Sequence, residues 1–417
     1  MMNQLGALLF LTALVLFSTF LNWYSFQAVR TLLEVYAAPR TRQFGAVIYW
    51  ILFSGVTVWI LLAFLRIFSE GEITASTQSM LNVFLTVVVT QVTLSVFLLG
   101  EDLYRQASAG IGLLQGQAFS LPERRSWLSI LALTVAAVPF FSFVYGIVVG
   151  KYNYKVHREV LYVDALPEAF EGFTITQLSD IHAGSLRNQQ AVAKGVALAQ
   201  RQQSDLIVFT GDLVNHKADE IDPLLPIFET LEAPYGKFAV LGNHDYGDYV
   251  QWPSPADKAA NLAALKQKFA DMGFRLLLDE HVPISRGEEA WYLLGVENWG
   301  VGFKAKGDLE AALQGVPESA FKVLLSHDPS HWTEIVKSHP IPIQLTLSGH
   351  THGMQFGIET PIVRWSPVQY RYPNWAGLAE EAGRYLYVNR GFGFHAFSGR
   401  VGIWPEITVI ELRRRVS

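Results

Sequence analysis

Five short apolar runs in this chain stop at residues able to hold a metal ion. Thr174 to Ser179 is followed by Asp180 and His182, Leu206 to Gly211 by Asp212, and Lys237 to Leu241 by Gly242, Asn243, His244 and Asp245. Val323 to Ser326 is followed by His327, and Gln344 to Gly349 by His350 and His352. Each group has an ordinary reading by itself: an aspartate after a strand caps a helix or makes a turn, and a lone histidine is commonly a hydrogen-bonded structural residue. Together they call for a cation, because clustered carboxylates and imidazoles are costly to bury unpaired. A donor set of imidazole, carboxylate and amide with no thiolate suits manganese, iron, zinc, cobalt or nickel better than calcium or magnesium, which prefer all-oxygen shells. Asp180 with His182, and His350 with His352, are spaced by two, which on an extended chain sets both side chains on one face.

The elements that must carry these groups read as buried strands alternating with amphipathic helices. Strands are predicted over 173–179, 205–210, around Phe238, and over 275–278, 291–296, 321–326, 343–348, 385–389 and 407–412. Helices are predicted over 188–202 and 256–272, with a proline-interrupted helical piece over 223–231. Such alternation argues for α/β layers with helices covering the sheets. In open α/β sheets, ligand-binding groups gather beyond the carboxyl ends of the strands, which is where every group above stands.

The first third of the chain is different. Four stretches, about 5–26, 44–65, 80–99 and 127–149, carry no charged side chain for the roughly 20 residues that a helix needs to cross the hydrocarbon core. They predict four transmembrane helices over residues 1–152, ahead of a catalytic domain over 153–417. The first has no basic n-region and no clear small-residue cleavage site, so it reads as a span in preference to a signal peptide. Pro139 lies in the fourth, where neighbouring helices or water must satisfy the freed carbonyl. Arg30, Arg40, Arg42, Arg105, Arg124 and Arg125 fall on one side of these spans and Arg66, Lys151, Lys155 and Arg158 on the other. The positive-inside rule then puts the N-terminus and everything after Val149 outside the cytoplasmic membrane. A net charge of −5 carries no nucleic-acid signature, and zero cysteines exclude disulfides and thiolate metal sites.

Asp180-x-His182, Gly211-Asp212, Gly242-Asn243-His244-Asp245, His327 and Gly349-His350-Thr351-His352 resemble, in order and spacing, the motif set of the calcineurin-like metallophosphoesterases. Asn389-Arg-Gly-Phe-Gly393 and the closing Arg400 to Thr408 are similar to the end of the membrane-associated YkuE-like phosphodiesterase branch of that superfamily. The resemblance covers about residues 170–412. It implies a four-layer α-β-β-α sandwich of two mixed sheets. It also implies a dinuclear site, with Asp180, His182, Asp212 and His352 on one ion and Asp212, Asn243, His327 and His350 on the other, so that Asp212 bridges. A metal-bridging hydroxide would attack phosphorus, His244 would protonate the leaving oxygen, and Asp245 is the candidate partner that orients His244. Asn215 departs from the family, many members of which carry aspartate there.

His157, His216, His281, His331, His339 and His395 lie outside the motifs and read as structural. The function expected is a membrane-anchored, metal-dependent phosphohydrolase acting on a phosphate ester, possible substrates including lipid-linked ones, with phosphodiesterase preferred. Alternatives are a lipid-linked nucleotide pyrophosphatase resembling the UDP-diacylglucosamine hydrolases, which needs a cytoplasmic site, a degenerate membrane sensor or scaffold, and a metal-dependent amidohydrolase. In the last, the H-x-H pair normally comes first in the chain, a place taken here by Asp180-x-His182. Loops 246–256 and 355–383 are expected to shape the substrate pocket.

Overall fold

The structure, a computed structural model, describes residues 4–70, 74–303 and 305–415; the expected outer limits of the two domains, residues 1 and 417, lie outside them. The chain forms two compact units, Met1–Ile147 and Val148–Ser417.

The first unit consists of α1 (Gln4–Tyr36), α2 (Pro39–Glu70), α3 (Ala75–Leu114) and α4 (Ser126–Val148). All four are long and apolar enough to cross a membrane. The helices outrun the charge-free stretches. Arg30, Arg66 and Arg105, read from the sequence as loop residues, sit on helical extensions of α1, α2 and α3, because a helix continues past the apolar run wherever its own backbone bonds are not interrupted. A buried polar knot joins three of the helices. Gln91 Nε2 donates to Asn22 Oδ1 at 2.7 Å, Asn22 Nδ2 donates to Thr57 Oγ1 at 3.3 Å, and the Tyr49 hydroxyl donates to the Asn22 carbonyl at 2.9 Å. In hydrocarbon, which offers no water, such groups must find each other. Small residues do the remaining close packing, with Ala28, Ala132 and Ala136 against Leu94 and Leu98.

In the second unit the elements are β1 (Lys155–Val163), β2 (Phe173–Leu178), α5 (Gln189–Gln200), β3 (Leu206–Phe209), α6 (Leu225–Phe228), β4 (Lys237–Ala239) and α7 (Pro255–Asp271). They continue with β5 (Arg275–Leu276), β6 (Glu280–Arg286), β7 (Glu289–Gly295), α8 (Leu309–Leu313), β8 (Lys322–Leu325), α9 (Ser330–Glu334) and β9 (Leu345–Ser348). Last come β10 (Ile358–Glu359), β11 (Arg364–Trp365), β12 (Gly377–Glu381), β13 (Arg384–Val388) and β14 (Glu406–Arg414).

Two six-stranded mixed sheets result, in the orders β1-β14-β2-β3-β4-β5 and β12-β13-β9-β8-β7-β6. Strands β2 to β5 run parallel to one another, as do β7, β8, β9 and β13. Side-chain alternation builds the layers. Leu206 and Val208 of β3 and Val323 and Leu325 of β8 meet between the sheets. Ile207 and Phe209 turn outward to Val192 and Val196 of α5 and Phe269 of α7, while Leu324 turns outward to Leu309, Leu313 and Trp332. This is the four-layer α-β-β-α sandwich. Strands β1, β6 and β12, not foreseen from the sequence, lie at sheet edges, where polar residues interrupt the apolar signal. Gln177, buried between the sheets, donates from Nε2 to the Ser348 carbonyl at 2.9 Å and thereby locks the end of β2 to the end of β9. The carboxyl ends of β2, β3, β4, β8 and β9 then open onto one edge.

Candidate metal centre

The loops at that edge are tightly wound. Asp180, His182, Asp212, His350 and His352 all have left-handed backbones, with φ between 48° and 71°. Few non-glycine residues adopt that region, Asp and His more readily than most, and five of them gathered at one edge mark an over-determined site. The two-residue pairs are therefore not extended, as their spacing suggested; left-handed turns, not strand alternation, bring the side chains together. Backbone bonds between neighbouring loops hold the turns, with Asp180 N–H donating to the Gly211 carbonyl at 2.9 Å and His182 N–H to the Asp212 carbonyl at 3.1 Å. Close approach explains two glycines. A Cβ at Gly242 would collide with the Asp212 carboxylate and amide, and one at Gly349 with Ser179 Oγ and the Asp180 carboxylate.

Around this frame, the structure brings all seven expected ligand residues together. Donor atoms of Asp180, His182 and His352 lie within 4.8 Å of one another, as do those of Asp212, His327 and His350. Asp212 Oδ2 stands between the groups, 3.5 Å from His182 Nε2 and 3.2 Å from His327 Nε2. His350 Nδ1 is 3.2 Å from His327 Nε2 and 2.9 Å from Asn243 Oδ1.

Outer partners decide which atom each residue offers. His327 Nδ1 donates to the Thr210 carbonyl at 2.7 Å, which leaves its Nε2 lone pair inward. His182 Nδ1 is 3.1 Å from Asn215 Oδ1, with the same consequence. Asn243 Nδ2 donates to the Tyr249 hydroxyl at 2.8 Å, so its oxygen faces the site. His350 Nε2 is 2.9 Å from the Tyr372 hydroxyl. His352 Nε2 is buried with no hydrogen-bond partner among the described residues, although Asp180 Oδ1 is 3.2 Å away. Lone pairs converging on shared space, one of them orphaned, fit a pair of divalent ions.

Electrostatics point the same way. Burial alone would raise Asp212 and Asp180, but His327 beside the first and His352 beside the second outweigh it and hold both carboxyls below their usual range. Burial pushes His182 well down and His350 down to about 4, which keeps both imidazoles neutral as ligands must be. His327 moves the other way, to about 10, because the Asp212 carboxylate overrides burial; without an ion Nε2 carries a proton shared with Asp212, and a bound cation would have to displace it.

The expected catalytic pair separates. His244 lies beside the expected ligands, with Nδ1 2.9 Å from the Asn215 carbonyl, so that the proton transfer expected of it would fall to Nε2. Asp245 does not orient it. Its carboxylate is fully buried and accepts four backbone N–H groups, from Asp212 and Gly242 on Oδ2, both at 2.9 Å, and from Leu213 at 2.8 Å and Val214 at 3.3 Å on Oδ1. Four amides in reach of a short side chain outcompete one imidazole, so Asp245 ties the Asp212 turn to the Asn243 turn, and the Asn215 carbonyl takes the place expected of it at His244.

His395, read as structural, belongs to the site. Its ring centre is 4.7 Å from that of His182 and 4.5 Å from that of His244, and the three histidines form a third group with donor atoms within 4.8 Å. His216 stands behind His244 at 5.8 Å between ring centres. The signal for His395 was the preceding Gly391-Phe-Gly393 run. Gly393 N–H donates to the Asp180 carbonyl at 2.9 Å, and a Cβ at Gly393 would meet the Ile181 carbonyl. Of the other histidines outside the motifs, His331 has Nδ1 2.9 Å from Ser326 Oγ and His339 has Nε2 2.9 Å from a Glu310 oxygen.

A cavity of about 230 Å³ adjoins Asn243, lined by Tyr246, Asp248 and Tyr249 from the expected loop and by Asn298, Phe303 and Lys306 from one that the sequence did not single out. From the other expected loop, 355–383, Tyr372 reaches His350.

Comparison with known proteins agrees with this geometry. Residues 173–354 match the family model described as "Calcineurin-like phosphoesterase", and residues 7–151 match "Probable Calcineurin-like phosphoesterase, transmembrane domain". The chain is 28% identical to the uncharacterized metallophosphoesterase YkuE of Bacillus subtilis over 60% of its own length and 82% of that protein's. It is 28% identical to the phosphodiesterase YaeI of Escherichia coli over 70% of its length and 99% of that protein's. It is also 27% identical to a transmembrane protein with metallophosphoesterase domain of Danio rerio, over 69% of its length and 63% of that protein's. Fold and metal-binding clusters together support metal-dependent hydrolysis of phosphate esters.

Proposed function

We propose that this calcineurin-like metallophosphoesterase, with its N-terminal transmembrane region, is a dinuclear phosphodiesterase of the YkuE-like branch. In this reading residues 1–152 are the anchor and 153–417 the catalytic domain, which lies outside the cytoplasmic membrane. The observation that carries the dinuclear reading is the position of Asp212 Oδ2 between His182 Nε2 and His327 Nε2. A carboxylate can bridge two cations at the roughly 3.5–4 Å spacing of two-metal sites, which an amide or an imidazole does not easily do. Asp180, His182, Asp212 and His352 would hold one ion, and Asp212, Asn243, His327 and His350 the other. Such ions, manganese, zinc, iron, cobalt or nickel by donor type, supply Lewis acidity and a nucleophilic water at neutral pH.

The protein's own groups do the rest. Thr210, Asn215, Tyr249 and Tyr372 hold the ligand side chains in register. His244, with Nδ1 committed to the Asn215 carbonyl, keeps Nε2 to carry a proton to the departing oxygen. The cavity beside Asn243 offers room for the second substituent of a diester, and a diester is what the name of the Escherichia coli relative states for that protein.

Chelation abolishes turnover in this reading, and Asp212→Asn removes more activity and more bound metal than His182→Ala or His327→Ala. Near-normal turnover and metal content in Asp212→Asn would rule out the dinuclear assignment.

A further inference from the structure

Away from the metal centre, an open pocket of about 510 Å³ is lined by Lys151, Tyr152, Arg187, Asn188, Gln189 and Gln190. Two cations converge there, and neither has a carboxylate partner among the described residues. Lys151 is half-buried and Arg187 is exposed; Lys151 Nζ is 3.1 Å from Ser398 Oγ and 5.1 Å from the centre of the Phe394 ring. Burial, with the charge of Arg187 second, holds the Lys151 ammonium below its usual range. The N-terminus of α5 does not add to this field in an unsatisfied way, since Asn188 caps it by accepting from the Ala191 N–H at 3.0 Å. Positive charge gathered in a pocket, partly desolvated and without a counter-charge, is the arrangement that recruits an anion.

The place of the pocket along the chain narrows the anion. Lys151 follows Val148, the last residue of α4, by three positions, and at 3.8 Å per residue it can be no more than about 11 Å from that helix end. If α4 spans the membrane, Lys151 is within reach of the headgroups. Tyr152, next to it, is of the aromatic type favoured at that depth.

We propose that Lys151 and Arg187 form a binding site for the phosphate of an anionic phospholipid headgroup. The same loop that supplies Ser398 and Phe394 to Lys151 carries His395 to the metal centre, so a headgroup bound at Lys151 braces the backbone on which His395 stands. Each cation near an anionic lipid surface contributes about 1 kcal/mol, or roughly fivefold in affinity.

The test is native mass spectrometry of the full chain, metal-free and released from an uncharged detergent, after mixing with phosphatidylglycerol, phosphatidylcholine or inorganic phosphate. Omitting the metal separates this binding from any recognition of the lipid as a phosphodiester, so the result does not depend on the catalytic reading. Wild type should retain a phosphatidylglycerol molecule that the Lys151→Gln/Arg187→Gln double variant loses at least about tenfold more readily, while retention of phosphatidylcholine is the same in both. Lys151→Arg/Arg187→Lys should bind as wild type does, which guards against a loss caused by misfolding. Equal retention of phosphatidylglycerol by wild type and the double glutamine variant would overturn the proposal. So would a phosphatidylcholine difference as large as that for phosphatidylglycerol, and a preference for inorganic phosphate would reassign the pocket to a free anion.

Discussion

Asp245→Asn exchanges one oxygen for an NH2 group and should loosen the two turns that carry Asp212 and Asn243. Each carboxylate oxygen of Asp245 accepts two backbone N–H groups. Asparagine keeps one acceptor and turns two hydrogens towards donors. The side chain will give up the weaker side, Oδ1, where one bond is 2.8 Å and the other 3.3 Å. Hydrogen bonds to a charged group are worth about 1.5–3 kcal/mol each, and counting the long one at the low end gives a loss of about 3–4.5 kcal/mol. For a unit of this size that is a fall in Tm of about 6–18 °C. Burial pushes the Asp245 carboxyl up to about 7, with the charge of Asp212 adding to it, so the comparison belongs at pH 8, where the wild-type group is ionised and accepts all four bonds. Thermal unfolding of the purified full chain is followed by calorimetry, with metal content and turnover measured on the same samples. A Tm shift below about 2 °C with metal retained, and a loss of activity confined to substrates with poor leaving groups, would refute the reasoning and return Asp245 to the role of orienting His244.

Three further outcomes are expected. His244→Ala should retain metal and lose about 10² to 10⁴ in rate on an alkyl phosphodiester, but far less on a nitrophenyl one, whose leaving group needs little protonation; an equal loss on both would assign His244 to binding. A reporter fused after Ser417 that works only outside the cytoplasm should be active, and one that works only inside silent, the reverse pattern inverting the topology. Glu406 is fully buried, yet Arg390, at 2.6 Å, overcomes burial and holds its carboxyl at about 2 against an ordinary 4.5. A depressed folded-state pKa contributes stability present above the unfolded value and lost as pH falls through the folded one. The Tm gap between wild type and Glu406→Gln should therefore narrow between pH 4.5 and 2, and a gap constant over that window would mean that the pair contributes no pH-dependent stability.

Much of this protein could be read from its residues in order. Charge-free runs betray the four long helices because hydrocarbon tolerates no unpaired charge, and short β-branched runs ending in Asp, Asn or His betray the central parallel strands and the groups at their ends. Edge strands β1, β6 and β12 escaped because a strand paired on one side needs little apolar pattern. What required the tertiary structure was direction and partnership. The spacing of Asp180 and His182 suggested an extended pair, whereas the turns are left-handed, a choice imposed by bonds to the neighbouring Gly211 and Asp212 carbonyls. Asp245, adjacent to His244 in sequence, serves four amides from two other turns, and Asn215 orients imidazoles on three separate loops. His395 enters the site from beyond the last expected ligand, His352, because Gly391 and Gly393 let its loop lie against Asp180 and Ile181. Adjacency along a chain reports which groups are available, but hydrogen-bond competition among loops that meet only after folding decides which atoms they face.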